Sequence, residues 1–387
     1  MQNSQNPGAA MVALLAASCG IVVANIYYSQ PLIGLIGPAV HMSAHGASLI
    51  VSLTQLGYAL GLLLLVPLGD LVENRRLVVV TITASIPALL LAGFAHSGEA
   101  MLVAGGLIGL TSVAVQMLIP LAAHLSPERR RGRVVGNVMS GLLFGILFAR
   151  PVASIIADVS SWRVVFCLSA VVMAVLAVVL SRALPRRVPA GGQHYGALLA
   201  SLFALPVRLP VLRQRALYQA ACFAGFSLFW TGVPLYLAQN FGFTQRGIAA
   251  FALAGAAGAF AAPIAGSLGD RGYARSGTVV ALTAIAAAFG IAWVGGRVHS
   301  VVVLAVSGIV LDAGVQTCLV LGQRTIYTMA PEMRSRLNGM FMAIFFLGGA
   351  AGSAVTSTLL IHGGWPGLCA LGGALPLAAL GYFAIAR

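Results

Sequence analysis

Stretches of 20 or more predominantly apolar residues follow one another from Met11 to Ala386, separated by short clusters of Arg, Pro, Gly and Ser. As a helix, each is long enough to cross about 30 Å of hydrocarbon. The pattern predicts spans near 11–37, 45–68, 77–95, 100–124, 134–158, 163–184, 214–239, 246–268, 276–295, 300–325, 335–361 and 365–386. One long polar stretch, about 185–212, carries four Pro, two adjacent Gly and three Arg. It predicts a cytoplasmic linker between a first six-helix bundle (1–184) and a second (213–387). The expected fold is therefore all-α and integral to the membrane, with twelve transmembrane helices in two pseudo-symmetric bundles.

Composition makes the bilayer the main solvent. Hydrophobic residues are 59% of the chain and charged residues 8%, against roughly 25% charged in soluble domains. The formal charge of +14 could suggest nucleic acid, but its placement argues against that. All 22 basic residues are Arg, and 18 of them fall in alternate connections or at the helix ends beside them. Only Arg163, Arg246 and Arg297 fall in the opposite connections, and Arg150 lies inside a span. This is the positive-inside pattern, and it predicts an inner-membrane protein with both termini in the cytoplasm. Cys19, Cys167, Cys222, Cys318 and Cys369 all fall in predicted spans without CxxC spacing, so they read as packing residues. The segment 15–19 resembles a lipoprotein cleavage box, yet no basic residue precedes it and the apolar run continues past Cys19, which favours a retained first helix.

The two halves repeat. Pro31 has a counterpart in Pro234, 203 residues later, and Asp70 in Leu68-Gly69-Asp70 has one in Asp270, 200 residues later. Pro127-Glu128 with Arg130 matches Pro331-Glu332 with Arg334 at an offset of 204. Three anchors that keep register to within four residues imply duplication of a six-helix unit. Such repeats are common in transporters, whose binding sites lie between them near mid-membrane.

The Asp and Arg cluster after the second span, its copy Gly266-Ser267-Leu268-Gly269-Asp270-Arg271 after the eighth, and Ser161-Trp162-Arg163 opening the sixth together resemble the major facilitator superfamily, over the whole chain. Within it the chain looks most like bacterial drug/proton antiporters and related exporters. That resemblance implies proton-coupled export of a small molecule by alternating access, with no cofactor. Three features depart from the exporter pattern. Glu73 stands where the family usually has Gly, Gly105 stands four residues before Gly109 where many relatives carry an Arg linked to proton coupling, and 149–154 replaces a Gly-Pro pattern in the fifth span.

Polar residues inside hydrocarbon are costly and usually face a cavity or one another. Of eight acids, Asp312 alone sits deep in a predicted span, about 18 Å from its outer end at 1.5 Å per residue. Arg150 lies roughly 13 Å down in the fifth span by the same rise. Their similar depth suggests an ion pair across the central cavity that a proton or an ionic substrate group could break. The alternatives are a permanent structural pair and Arg150 alone binding an anion. Asn25, Tyr28, Ser29 and Leu32 share one face of the first span, and Asp312, Gln316 and Gln323 share one face of the tenth. With Gln30, Gln55, Tyr58, Gln116, Asn137, Phe229 and Trp230 they are candidates for substrate contact or for interhelical hydrogen bonding. Asp70, Arg75, Arg76, Asp270 and Arg271 are expected either to form a cytoplasmic gate latch or to be solvated anchors.

Glycines four apart at 57 and 61, 105 and 109, 141 and 145, and 348 and 352 suggest close packing within one chain more than dimerisation. The chain is therefore expected to be monomeric, with a small-molecule substrate, protons and the lipid bilayer as partners. His41, His45, His96, His299 and His362 spread over four outer connections and read as interfacial residues, not as a metal site. The chain contains no HExxH, GxSxG or GxxxxGK[ST] motif, so neither an enzyme nor an ATP-driven pump is expected. A passive facilitator, an uptake symporter and a substrate sensor stay open as alternatives.

Overall fold

The computed structural model describes residues 8–189, 194–255, 257–258, 261–329 and 333–385. The described residues form helices and connections and contain no strand. A helix satisfies its backbone hydrogen bonds internally, which is the condition for crossing hydrocarbon. In chain order the α-helices are α1 (Ala9–Ala24), α2 (Ile33–Ala39), α3 (Ala44–Leu64), α4 (Asn74–Gly93), α5 (Gly98–Thr111), α6 (Ala114–Leu125), α7 (Glu128–Val159) and α8 (Trp162–Ala183) in the first half. They continue as α9 (Tyr195–Arg208), α10 (Pro210–Phe241), α11 (Gln245–Gly255), α12 (Ala261–Asp270), α13 (Ala274–Arg297), α14 (Val301–Met329), α15 (Arg334–His362) and α16 (Gly364–Ile385). Ten segments are long and apolar enough to span a membrane, and the first and eighth spans, each in two helical pieces, complete the twelve.

The first span departs from the continuous helix expected over 11–37. Its α-helix ends at Ala24, and 3-10 bonds take over from Ile26 to Val23, Tyr27 to Ala24, Gln30 to Tyr27 and Leu32 to Ser29. Pro31 explains this, because it has no N–H to return to the preceding turn and its ring disfavours helix in the residues before it. The shared helical face proposed for Asn25, Tyr28, Ser29 and Leu32 therefore does not exist. The repeat partner Pro234 sits inside the continuous α10, so the duplicated proline has different consequences in the two halves. Of the third repeat anchor, Pro331 and Glu332 lie outside the described residues.

Glycines fix the closest helix crossings. A Cβ on Gly141 or Gly145 would strike the backbone of Ala16 or Gly20, which binds the first span to the fifth. A Cβ on Gly348 or Gly352 would strike Ala220 or Ala224, which binds the seventh to the eleventh. Gly57, Gly61 and Gly109 do the same between α3 and the fourth span. All of these are contacts within one chain, and the first two pairs are related by the repeat. A Cβ on Gly105 would lie 3.1 Å from both the Ile50 carbonyl oxygen and the Thr54 Oγ1. A side chain at this position would require α3 to give by a few tenths of an ångström.

The halves meet along α3 against α15, α7 against α11, and the broken first span against α10. Residues 185–212 are not a plain linker, since they contain the 14-residue helix α9. Leu198, Leu202 and Leu205 form its buried stripe, at the spacing of one helix face. α9 packs under α10 and α15 of the second half and against α3 of the first. There the Tyr195 hydroxyl donates to the Leu64 carbonyl at 2.7 Å. The prolines at 185, 189, 206 and 210 pointed to a loop, but three of them flank the helix and Pro206 falls in its last turn, where it interrupts only the end of the backbone ladder. Residues 190–193 of the expected linker are not among those described.

Candidate functional site

Arg150 enters the interface between the halves from α7 and is 6% exposed. Its guanidinium lies 4.1 Å from the ring centroid of Trp230, 5.0 Å from that of Phe226 and 5.8 Å from that of Tyr27. Phe226 and Trp230 are one helical turn apart on α10, and Tyr27 comes from the break in the first span. Aromatic faces attract a cation, by up to about 2 kcal/mol when water is excluded. They accept none of its N–H bonds in the ordinary sense, and the buried Nε of Arg150 has no hydrogen-bond partner.

Asp312 lies in the same chamber on α14 and is 9% exposed. It does not form the ion pair with Arg150 expected from their depths. The Trp230 indole lies between them: its face carries the guanidinium, and its Nε1 donates to Asp312 Oδ1 at 2.7 Å. The ring fits because its surroundings are small. A Cβ on Gly255 would run into the indole, and one on Gly308 would sit 3.7 Å from it. Gly258 seats α14 just below the carboxylate, where an added Cβ would lie 2.6 Å from the Asp312 Cβ. Arg150, Trp230 and Asp312 stand nine to eleven residues from the ends of their spans opposite α9. At 1.5 Å per residue that is roughly 14–17 Å, the middle of a bilayer.

Pro31, Arg150, Trp230, Val233, Pro234 and Phe251 are among the residues lining a cavity of about 10 Å³, room for about one water. Two buried polar side chains close in the chain to lining residues have no partner. Gln30, next to Pro31, is fully buried with neither amide atom bonded, and the hydroxyl of Ser154, one turn from Arg150 on α7, is likewise unpartnered. Native interiors rarely leave such groups unpaired unless water or a ligand serves them.

Both ends of the chamber are closed. On the side away from α9, Asp158 of the first half pairs with Arg246 of the second at 3.0 Å, and Ser52 meets Ser353 at 2.9 Å. Nearer the middle, Gln55 donates to Ser227 at 2.7 Å. On the α9 side, Asn338 donates to Gln116 at 3.3 Å across the halves, Gln116 donates to Tyr58, and Gln323 and Tyr327 donate to Asn338. Tyr58 also packs against Phe346, ring centroids 4.4 Å apart.

Other expected site residues lie elsewhere. Asn25 turns into its own half, accepting from Ser169 at 2.6 Å. Tyr28 lines a groove between α1 and α7 with Phe144 and Phe148, and Gln316 is half-buried with no hydrogen bond among the described residues. The latch expected from the Asp and Arg clusters does not cross the halves. Asp270 pairs with Arg324, which also donates to the Gly266 carbonyl, and Arg75 reaches the Leu184 carbonyl, all within single halves. Asp70, Arg76 and Arg271 form no ion pair among the described residues. Tyr27, Phe226, Asn338 and Phe346 escaped sequence reasoning. The one available signal was the i, i+4 spacing of Phe226 and Trp230, which an apolar run hides. Among the described residues, no group of three His, Cys, Asp or Glu could hold a metal.

Comparison with known proteins agrees with this architecture. The chain is 40% identical over 372 residues, 96% of its length, to the "Uncharacterized transporter YgaY" of Escherichia coli O157:H7, covering 94% of that protein. It is 33% identical to the "Probable transporter SCO4007" of Streptomyces coelicolor, covering 93% of this chain and 84% of that one. Among solved structures, a POT family transporter in complex with 5-aminolevulinic acid superposes with a TM-score of 0.79 at 12% identity, covering 99% and 98% of the two chains. A variant of the nucleoside transporter NupG superposes with a TM-score of 0.75 at 14% identity, covering 97% and 99%. At such low identity these two structures speak for the fold alone. The Major Facilitator Superfamily model matches residues 12–319, and together with the twelve-span architecture this establishes that the chain is a membrane transporter belonging to the Major Facilitator Superfamily.

Proposed function

We propose that the chain is a monomeric secondary active transporter of the bacterial inner membrane. It moves a small molecule by alternating access, with both termini cytoplasmic, and cargo and coupling proton act in one chamber formed by Arg150, Trp230 and Asp312. The observation that carries this is the chamber itself: a buried cation and a buried acid, brought from opposite halves to mid-membrane depth and held apart by one indole. Intramembrane charges of this kind mark ion and substrate pathways. The closures on either side rest on few polar contacts, the Asp158–Arg246 pair with Ser52–Ser353 at one end and a small amide network at the other. Rocking of the halves could open either side in turn.

Export driven by proton re-entry is the direction that the resemblance to drug/proton exporters favours. Uptake by proton symport is the second reading, and the unpartnered guanidinium of Arg150 favours it. The test is flux in proteoliposomes with an imposed pH gradient, using compounds selected from a library by binding. Uphill movement of one compound that collapses with a protonophore is expected. Counterflow that ignores the gradient would make the protein a facilitator, and binding without flux a sensor.

A further inference from the structure

We propose that the free donors of Arg150 bind the carboxylate of a compact organic anion, and that this anion crosses together with a proton carried by Asp312; the proposal rests on the transporter reading and fixes the charge of the cargo and the sign of its coupling. An Arg side chain presents five N–H donors in a planar fork matched to a carboxylate. Here the fork is buried among Tyr27, Phe226 and Trp230. Its Nε is sealed from solvent without an acceptor, and among the described residues neither a carbonyl oxygen nor a carboxylate oxygen is bonded to the rest of it. Asp312, the one acid at this depth, is engaged by the Trp230 N–H instead. A buried cation with only aromatic partners lacks the acceptors that normally offset its desolvation.

The neighbouring orphans fit the same ligand. Gln30, next in the chain to Pro31 of the cavity wall, has an unbonded amide, and Ser154, one turn from Arg150 on α7, has an unbonded hydroxyl; both carry donors that a carboxylate can accept from. The other cavity walls, Val233, Pro234, Leu237, Ile248, Phe251 and Ala252, are apolar. The suitable cargo therefore has a small hydrophobic or aromatic body with a single anionic head. The cavity as it stands is too small for such a molecule, so cargo would enter when one closure opens.

The sign of coupling follows from charge. With Asp312 ionised, the chamber holds one positive and one negative charge, and an incoming anion meets a like charge on the far edge of the indole. With Asp312 protonated, Arg150 is the chamber's only charge and the anion neutralises it. Proton and anion thus favour each other's binding, which is the requirement for symport; a cationic cargo would compete with the proton and yield antiport. The groups that act on Asp312 are Arg150 from α7, Trp230 from α10 and Tyr27 from the first span. α11, α12, α13 and α15 carry their charged residues only near their ends, away from this depth.

Benzoate, benzamide and benzamidine share a ring and differ in charge, which makes them suitable ligands for isothermal titration of the purified full-length protein. Benzoate is expected to bind most tightly. Its affinity should rise by about tenfold or more as falling pH protonates Asp312, because like charges a few Å apart repel by that much at an effective dielectric near 20. Asp312→Asn should bind benzoate at the higher pH as wild type does at the lower, with the pH dependence gone. Arg150→Lys keeps the charge but not the fork and should weaken benzoate by about tenfold, more than it weakens benzamide. Should Arg150→Lys fail to fold, the ligand ranking and pH dependence of the wild type decide alone. Three results would each overturn the proposal: benzamidine binding best, benzoate binding no better than benzamide, or benzoate affinity independent of pH in the wild type. None of them touches the transporter reading, which stands or falls on proton-driven flux of any compound.

Discussion

Trp230 donates its indole N–H to Asp312 at 2.7 Å while its ring face carries the guanidinium of Arg150. One side chain thereby sets the position of both buried charges and keeps them from meeting. A hydrogen bond to a charged group contributes about 1.5–3 kcal/mol. Trp230→Phe keeps a ring beneath Arg150 but removes the donor, so Asp312 is expected to turn toward the guanidinium and form the ion pair the native chain lacks. Transport should fall by roughly tenfold or more, since breaking that pair would then oppose cargo entry. Flux measured beside a folding control such as detergent melting temperature checks this; an unaltered rate would show that the indole bridge is dispensable.

Gly258 predicts a structural effect at the same place. An added methyl would lie 2.6 Å from the Asp312 Cβ and 2.8 Å from the Ala313 nitrogen. Both belong to a packed helix with little freedom to yield, and overpacking of this kind costs about 1–3 kcal/mol. Gly258→Ala should therefore lower the melting temperature measurably. Gly266→Ala, where an added Cβ meets nothing within 4 Å, should not. Equal melting of the two variants would contradict the close seating of α14.

The two closures should differ in weight. In the Asp158 pair Arg246 is 78% exposed and Asp158 19%, so water screens the pair from the Arg246 side and its contribution, about 1 kcal/mol, lies near the roughly 0–1 kcal/mol of surface pairs. Asp158→Asn is expected to change transport little. Gln116 and Asn338 are half-buried and form one network with Tyr58, Gln323 and Tyr327. Asn338→Ala leaves several of these groups unpaired, so it should shift the resting population toward opening on the α9 side. Distance measurements between spin labels across each end resolve this: a larger shift in Asp158→Asn than in Asn338→Ala would reverse the assignment.

Hydropathy and Arg placement made the helix count and the doubled architecture legible, because the bilayer constrains every span in the same way. Arg150 and Asp312 were legible as individuals, since a charge within an apolar run is conspicuous, and Trp230 was legible as a candidate for substrate contact. Their relationship was not. Depth along two helices cannot reveal that an indole from a third fills the space between them. Pro31 and Pro234 show a second limit, since the same residue at equivalent repeat positions unwinds one span and is absorbed by the other, depending on the packing around it. α9 shows a third: its leucine stripe was hidden among prolines that lie at its edges.

The most direct test of a chamber shared by cargo and proton is Asp312→Asn in proteoliposomes, assayed with a compound that the wild type accumulates. Exchange of cargo across a membrane without a gradient should persist, because Arg150 and the aromatic walls are intact. Accumulation driven by a pH gradient should disappear. Gradient-driven accumulation at the wild-type level in Asp312→Asn would contradict the account, because coupling would then reside outside this chamber.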